Sequence, residues 1–506
     1  MSMMPSLRSS VITGSLAKVT MRRGRWRSPA GTQFPAGLRQ LIFRFVDRIQ
    51  GSSSDLRVVS RQYWCLSASK LTLMSSAPGD GTEGCVLANR LSTDEGVSVL
   101  SVGRGGVEDN WISQIPLFAQ ILRSPRIVRL HVHGTVPQER ADERVIELTD
   151  GKSLGGASKI NAMLYTRGLP AEFNSRSAAS CEDRLRADDS HGTSGIIMEA
   201  VKSLDIPYID DLNSPSHPSH GCAKMHYTID GSRRHSSTLS AFLPQKLVNE
   251  RRNLQFGIGP AEHLKNHAKA VIKDNAAVRA HMQDHMFILL YMFYGIGLLL
   301  APVLEMSIFV QSRLFDSDFR IITHDLVSSK SKGDGGLVFL AIALRPTSLG
   351  TVRLASSHPL DDPIIDPQYL STEHDRVIKR KTVRLALWLG KQVAAQGYPI
   401  ISFEVPASEK DEDVDAFVRK WCHTSFHYTS TCRMAPESEN GIDGVVNDRL
   451  RVHGVRGLRI ADSSIFPHIL SAHTAAATVA VAEKCADMIK EDRGSKEAQS
   501  VSQFVY

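Results

Sequence analysis

The sequence predicts an α/β fold, α+β overall, and three stretches predict it. The first is a strand-like run from Leu71, LTLMSSA, followed by Gly79-Asp-Gly81-Thr-Glu-Gly84 and the helical CVLANRLS. The second alternates and turns: LVFLAIAL from Leu337, then Arg345-Pro-Thr-Ser-Leu-Gly350, then TVRLA, which reads as a β-hairpin of an antiparallel sheet. The third is Gly457-Leu-Arg-Ile-Ala-Asp462, a strand-like run that passes a turn at Pro467 and enters an Ala/Val-rich helix from Thr474 to Ile489.

A strand, G-x-G-x-x-G and a helix form the dinucleotide fingerprint. Its glycines make the turn and let backbone approach a pyrophosphate seated on the helix N-terminus. Asp80 and Glu83 bring carboxylates to that place, which is electrostatically unfavourable unless they point away. Further on, Met286 to Leu304 holds no charge over nineteen positions, the length of a membrane helix. Gly295, Gly297 and Pro302 interrupt it, so it reads as two apolar core pieces and no membrane span is expected. Thr372 is a plausible N-cap for a helix from Glu373 to Gln396, where Val377, Val383 and Leu387 recur at helical spacing and Gly397 and Pro399 stop the run. A second helix is expected near Glu409 to Trp421.

Composition sets bounds on function. With 506 residues, 42% hydrophobic and 22% charged, the chain has the make-up of a soluble enzyme of two to four domains. The net charge of +7 is modest, and no basic patch is interleaved with aromatics, so nucleic acid is not implied. Seven cysteines without C-x-x-C spacing argue against a disulfide framework and against a zinc ribbon. Residues 1–66 differ: Arg8, Lys18, Arg22, Arg23, Arg25, Arg27, Arg39 and Arg44 all precede the first acidic residue, Asp47. That is the composition of a transit peptide, without the apolar core of a secretion signal. The segment is expected to be a disordered extension that adds little stability. A cytoplasmic location is favoured, with the mitochondrion as the alternative the arginines allow.

Two histidines stand out near the C-terminus. His427 and His473 lie beside small hydroxyl or alanine residues instead of in an apolar stripe. Imidazole is the side chain most easily poised as a base near neutral pH, so two within reach of one substrate suggest proton abstraction. His217, His220, Cys222 and His226 have spacings a transition metal could use. Pro218 and the neighbouring serines suit a loop, and no second ligand cluster completes a site, so no metal is expected.

These stretches together resemble the glucose–methanol–choline (GMC) oxidoreductases. The resemblance is carried by His427 to Met434 (H-x-x-x-T-C-x-M), by Gly444 to Asp462, and by His473 to Asp487 with its A-E-K-x-A-D. Asp150 to Arg167, DGKSLGGASKINAMLYTR, is similar to the first signature of that family. Arg234 to Leu243 resembles a segment packed over the flavin, and Gly257-Ile-Gly-Pro260 keeps the tail of the second signature. The likeness runs from about residue 71 to 490 with at least three compressions.

It implies a Rossmann-like FAD-binding domain of discontinuous segments, 71–300 and 426–490. A substrate domain, 301–425, would be an antiparallel sheet covered by helices, and 491–506 a tail. It implies FAD held by Gly79, Gly81, Gly84, Gly155, Gly156, Ser158, Asn161, Asp462 and Thr474, and a small-molecule alcohol as substrate. His427 would take the hydroxyl proton while hydride passes to flavin, and His473 would hydrogen-bond the developing alkoxide. Gly103 stands where the resemblance calls for an acid on the adenosine ribose, so FAD is expected to be held weakly. The alternatives are a catalytically impaired homologue with poor flavin binding, or a non-redox member of lyase or cyclase type.

Overall fold

A computed structural model describes residues 11–13, 64–68, 71–75, 81–94, 97–102, 111–114, 130–168, 194–211, 213–214, 221–230, 234–242, 257–294, 306–312, 317–327, 335–358, 361–397, 400–437 and 444–502. Near the N-terminus four strands form one sheet: β1 (Val11–Thr13), β2 (Trp64–Ala68), β3 (Leu71–Ser75) and β4 (Ser98–Val102), in the order β1-β4-β3-β2. β4 runs parallel to both β1 and β3, and β2 is antiparallel to β3. Helix α1 (Thr82–Leu91) follows β3, and its Cys85, Val86, Leu87, Ala88 and Leu91 are buried.

What α1 packs against comes from the far end of the chain. Its buried residues share one core with Cys432, Val446, Leu458 and Ile460, and with Ala482, Cys485 and Ile489 on the last helix. Burying apolar surface drives this association, and Arg90 adds a 2.6 Å ion pair to Glu483 across it. Residues distant in sequence thereby close around the start of α1.

The larger sheet has seven strands, all pairs antiparallel. They are β5 (Gly221–Lys224), β6 (Met286–Tyr294), β7 (Met306–Ser312), β8 (Ser317–Val327), β9 (Gly335–Ala343), β10 (Ile400–Glu404) and β11 (Cys422–Thr424). The order is β10-β6-β9-β8-β7-β5, with β11 also paired to β6. Helix α2 (Glu373–Ala395) lies on this sheet. Its N-cap is Thr372, whose hydroxyl accepts from Asp375 N at 3.2 Å, and Ile378, Val383, Ala386, Leu389 and Val393 form the apolar stripe that helical periodicity requires. Helix α3 (Asp411–Trp421) packs beside it, tied by Arg380 to Asp415 at 2.8 Å.

Five expectations are corrected. Strands β1 and β2 put parts of the 1–66 segment into the smaller sheet, because β4 and β3 otherwise present open edges that a further strand satisfies. The domain boundary at 300 does not divide the large sheet: β5 and β6, before it, pair with β7 and β9 beyond it. The hairpin does not form. β9 pairs with β6 and β8, whereas Thr351–Arg353 pairs with Ile364–Asp366. Gly350 turns the chain away by bridging Met282 in both directions, at 2.9 and 2.8 Å, and a Cβ there would stand 2.3 Å from Asp366 O. The run from Gly457 to Asp462 is no regular strand, since Arg459 meets Arg451 in one isolated bridge that closes a loop with positive φ at Gly454 and Gly457. Finally, 491–506 is not a separate tail: helix α4 (Thr474–Ser502) continues into it. Burial opposes ionisation of Asp492, but Arg459 and Arg451 hold its carboxyl down to about 2, pinning that extension to the body.

The apolar run from Met286 supplies β6, and 295–305 lie outside the described residues. No helix among the described residues is long and apolar enough to cross a membrane.

Candidate active site

Two stretches of backbone run side by side at the end of β6. Gln283 and Thr429 exchange hydrogen bonds of 3.2 and 2.9 Å, and Ser425 N donates to His285 O at 2.7 Å. This pairing sets His285 against His427. Asp284 lies buried between them and accepts from His427 N at 2.9 Å, the Tyr369 hydroxyl at 2.5 Å and the Thr424 hydroxyl at 2.6 Å. Burial pushes the Asp284 carboxyl up to about 6, while these donors and the backbone of His285 pull it back.

The imidazoles form a chain. His285, fully buried, places Nε2 2.8 Å from Leu344 O and Nδ1 2.8 Å from His427 Nδ1. His427 Nε2 is 3.1 Å from His473 Nδ1. A carbonyl can only accept, so His285 carries its proton on Nε2 and offers the Nδ1 lone pair. His427 therefore donates from Nδ1 and keeps a lone pair on Nε2, to which His473 donates from Nδ1. Hydrogen-bond chemistry thus assigns a tautomer to each ring, and the basic nitrogen of His427 faces His473.

His473 is positioned by its backbone N–H, which donates to Thr166 Oγ1 at 2.9 Å, just before α4 begins at Thr474. Thr166 belongs to the segment that carries the glycine-rich loop. There Gly155 and Gly156 adopt φ of 90° and 52°, a region side chains rarely occupy. A Cβ on Gly156 would stand 2.7 Å from Gly81 Cα and 3.3 Å from Thr82 N, so the loop backbone lies directly on the start of α1. Ser158 knits the contact: its N–H donates to Thr82 Oγ1 at 3.3 Å and its Oγ is 3.0 Å from Thr238 Oγ1.

The structure brings His427 and His473 together, and separately gathers Gly81, Gly84, Gly155, Gly156 and Ser158 around the α1 N-terminus. Gly79, Asp80 and Gly103 lie outside the described residues. Glu83 is buried in the first turn of α1. Asn161 turns its carbonyl onto Met163 N at 3.0 Å. Asp462 is fully buried and accepts from Ser464 N at 2.7 Å, capping the short turn that follows it. Among the residues considered for a metal, Cys222 is buried in β5 with its thiol pushed up to about 12 by burial, and His226 Nδ1 is 2.9 Å from Asn213 Nδ2. His217 and His220 lie outside the described residues.

Sequence reasoning missed His285, Asp284, Tyr369 and Lys379. Two signals were present: Gln283-Asp-His285 stands directly before an apolar strand, and Asp375 and Lys379 recur at i, i+4 on the core face of α2.

Residues 346–482 match the family model described as GMC oxidoreductase. This C-terminal region is a GMC oxidoreductase domain. An alcohol dehydrogenase [acceptor] from Pseudomonas putida is 26% identical over 541 residues, taking in 83% of this chain and 96% of its own. That alignment is longer than this whole chain, so the relative carries stretches that this chain lacks. An oxygen-dependent choline dehydrogenase from Ectopseudomonas mendocina is likewise 26% identical, over 82% of this chain and 93% of its own. Among solved structures, a formate oxidase variant from Aspergillus oryzae, concerned with FAD modification, superposes with a TM-score of 0.72 at 21% identity, covering 84% of this chain and 98% of the other. At that identity the likeness is one of fold.

Proposed function

We propose that this chain oxidises a small alcohol to an aldehyde or ketone with FAD, using His427 as the base and His473 as its partner. The observation that carries the reading is the 3.1 Å approach of His473 Nδ1 to His427 Nε2, which aims a lone pair and an N–H at one place. A substrate hydroxyl that displaces this contact and bridges the two nitrogens donates its proton to His427 Nε2. Its oxygen then accepts from His473 Nδ1–H, so alkoxide character is met by a donor as it develops. FAD, when bound, supplies the acceptor for the hydride that leaves the carbinol carbon. His427, now with protons on both nitrogens, shares the Nδ1 proton with His285.

The residues present fit a dinucleotide. The backbone meeting of Gly156 with Gly81, closed to any Cβ, sits at a helix N-terminus whose partial positive charge favours phosphate. Gly81, Gly84, Gly155, Gly156 and Ser158 would hold it there, and Gly79, Asn161, Asp462 and Thr474 complete the proposed set. The parallel strands β3 and β4 with α1 between them are read as the Rossmann-like part, joined by residues from 426 onward. The seven-stranded sheet under α2 and α3 is read as the substrate part.

The test is the absorption spectrum of the purified chain, before and after gel filtration, followed by anaerobic addition of primary alcohols, choline included. Flavin absorbance that is partly lost on the column and bleached by an alcohol is expected. Flavin that is retained but bleached by none of them would refute alcohol oxidation.

A further inference from the structure

One charged side chain in the core has no part in the reaction above. Lys379, on α2, is 2% exposed and donates to the carbonyls of Met286 and, at 3.3 Å, Ala341. Those two carbonyls leave an ammonium with one further donor. Lys379 also lines a cavity of about 20 Å³ with Asp284, Tyr369 and Asp375, room for roughly one water. Asp375 accepts from Thr347 N at 2.8 Å, the Thr347 hydroxyl at 2.9 Å and Ser348 N at 3.0 Å. Asp284 carries the backbone of both His285 and His427, as described. Two buried carboxylates and one buried lysine therefore sit behind the histidine chain, with Met286, the lysine's partner, next in sequence to His285.

We propose that Lys379 is a positioning residue whose charge, set across this cavity against Asp284 and Asp375, tunes how strongly the His285–His427 chain holds a proton. The role rests on the reading of His427 as the base. With both carboxylates ionised and the lysine charged, the cluster carries one net negative charge, and a proton on the histidine chain neutralises it. With the lysine neutral, the chain holds its proton more firmly and the base is spent at higher pH.

Burial lowers Lys379 to about 7, against the pull of Cys422, Asp375 and Asp284, so its charge changes within the working range of an imidazole. The ionisable groups facing this cluster are Cys422 from β11, Tyr369 ahead of α2, Asp375 on α2 and Asp284 ahead of β6. Around His427 they are His285, His473 and Tyr428. Burial raises Cys422 to about 11 and Tyr369 and Tyr428 well above the usual phenol value. All three stay neutral near pH 7, leaving Lys379, Asp284 and Asp375, with the Arg144 guanidinium that donates to Cys422 O, as the charges around the cavity.

The experiment follows the imidazole titrations of the full-length chain by histidine-nitrogen NMR, with the His427 signals assigned by their loss in His427→Gln. Lys379→Met keeps an unbranched side chain, one atom shorter, and removes its charge. It should move the His427 midpoint upward by about one pKa unit, the scale for one nearby charge. Asp284→Asn should move it downward. Midpoints that stay in place, or that both drift toward that of free imidazole, would overturn the proposal, since mere loosening of the core moves them the same way. Should Lys379→Met not fold, Tyr369→Phe removes one donor from Asp284 and should lower the midpoint, and no shift there overturns it equally. The titration needs neither substrate nor turnover. An inactive chain with the opposed shifts refutes alcohol oxidation alone, and an active chain without them refutes this inference alone.

Discussion

Replacing His285 by alanine tests whether the histidine chain works as a unit. The side chain is fully buried, donates to Leu344 O at 2.8 Å and accepts from His427 Nδ1 at 2.8 Å. Its loss strands a buried carbonyl and a buried N–H, and it frees His427 to put its proton on Nε2, where the lone pair is needed. An unsatisfied buried partner costs about 1–3 kcal/mol. Spent on the reacting geometry, that is about a five- to hundredfold slower reaction. The assay is anaerobic flavin bleaching under saturating alcohol, with the melting temperature recorded alongside. His285→Asn provides the control, because its amide oxygen can accept from His427 Nδ1–H and should restore part of the rate. A His285→Ala chain that bleaches at the wild-type rate, or an asparagine variant no faster than alanine, would refute the tautomer assignment.

Other substitutions probe separate links. His427→Ala, in chain that retains flavin, should slow bleaching about a hundredfold or more, the scale of a lost general base; stopped-flow absorbance reads it. Gly156→Ala forces a side chain into φ of 52° and onto Gly81 Cα, so flavin should elute free on gel filtration and stability should fall by about 1–2 kcal/mol from backbone strain alone. His235 is buried, and burial with the nearby Lys159 charge lowers it from 6.5 to about 4. A depressed folded-state value means stability that is whole above 6.5 and lost as pH falls toward 4. The melting temperature should therefore drop across that window, and His235→Gln should flatten the drop.

Much of the architecture was legible because it is written in local pattern. Helix α1 after β3, and the capped helix α2 with its stop at Gly397, obey rules that act over a few residues. The failures share a different cause. The expected hairpin after β9 failed because pairing partners are chosen by the whole sheet: Gly350 has Met282 to bridge, and Thr351–Arg353 has Ile364–Asp366. The boundary at 300 failed for the same reason, since β6 finds β9 and β11 across it. Residues of the resemblance blocks could be named in advance, but not what stands behind them, because His285 meets His427 only through a backbone pairing separated by more than a hundred residues in sequence.

That separation bears on how the chain can differ in length from its relatives and still present a site. The alignment with the Pseudomonas putida enzyme shows that stretches are missing, yet the histidine chain draws on three short segments, 283–285, 424–429 and 466–474. Hydrogen bonds in and beside these segments tie them together: the backbones of Gln283 and Thr429 pair, Ser430 N donates to Ser463 O, and Ile469 N donates to the Gln283 side chain at 3.0 Å. The polar residues on the buried face of α2 close the same unit from behind. Lys379 reaches Met286, and Asp375 holds the Thr347–Ser348 turn that follows Leu344, the carbonyl on which His285 ends. Polar side chains at core positions cost stability unless every donor and acceptor is met. Here Asp375 is met by Thr347 and Ser348, and Lys379 by the carbonyls of Met286 and Ala341. The inner face of α2, with its lysine and aspartate, thus bonds to backbone that directly adjoins the histidine segments.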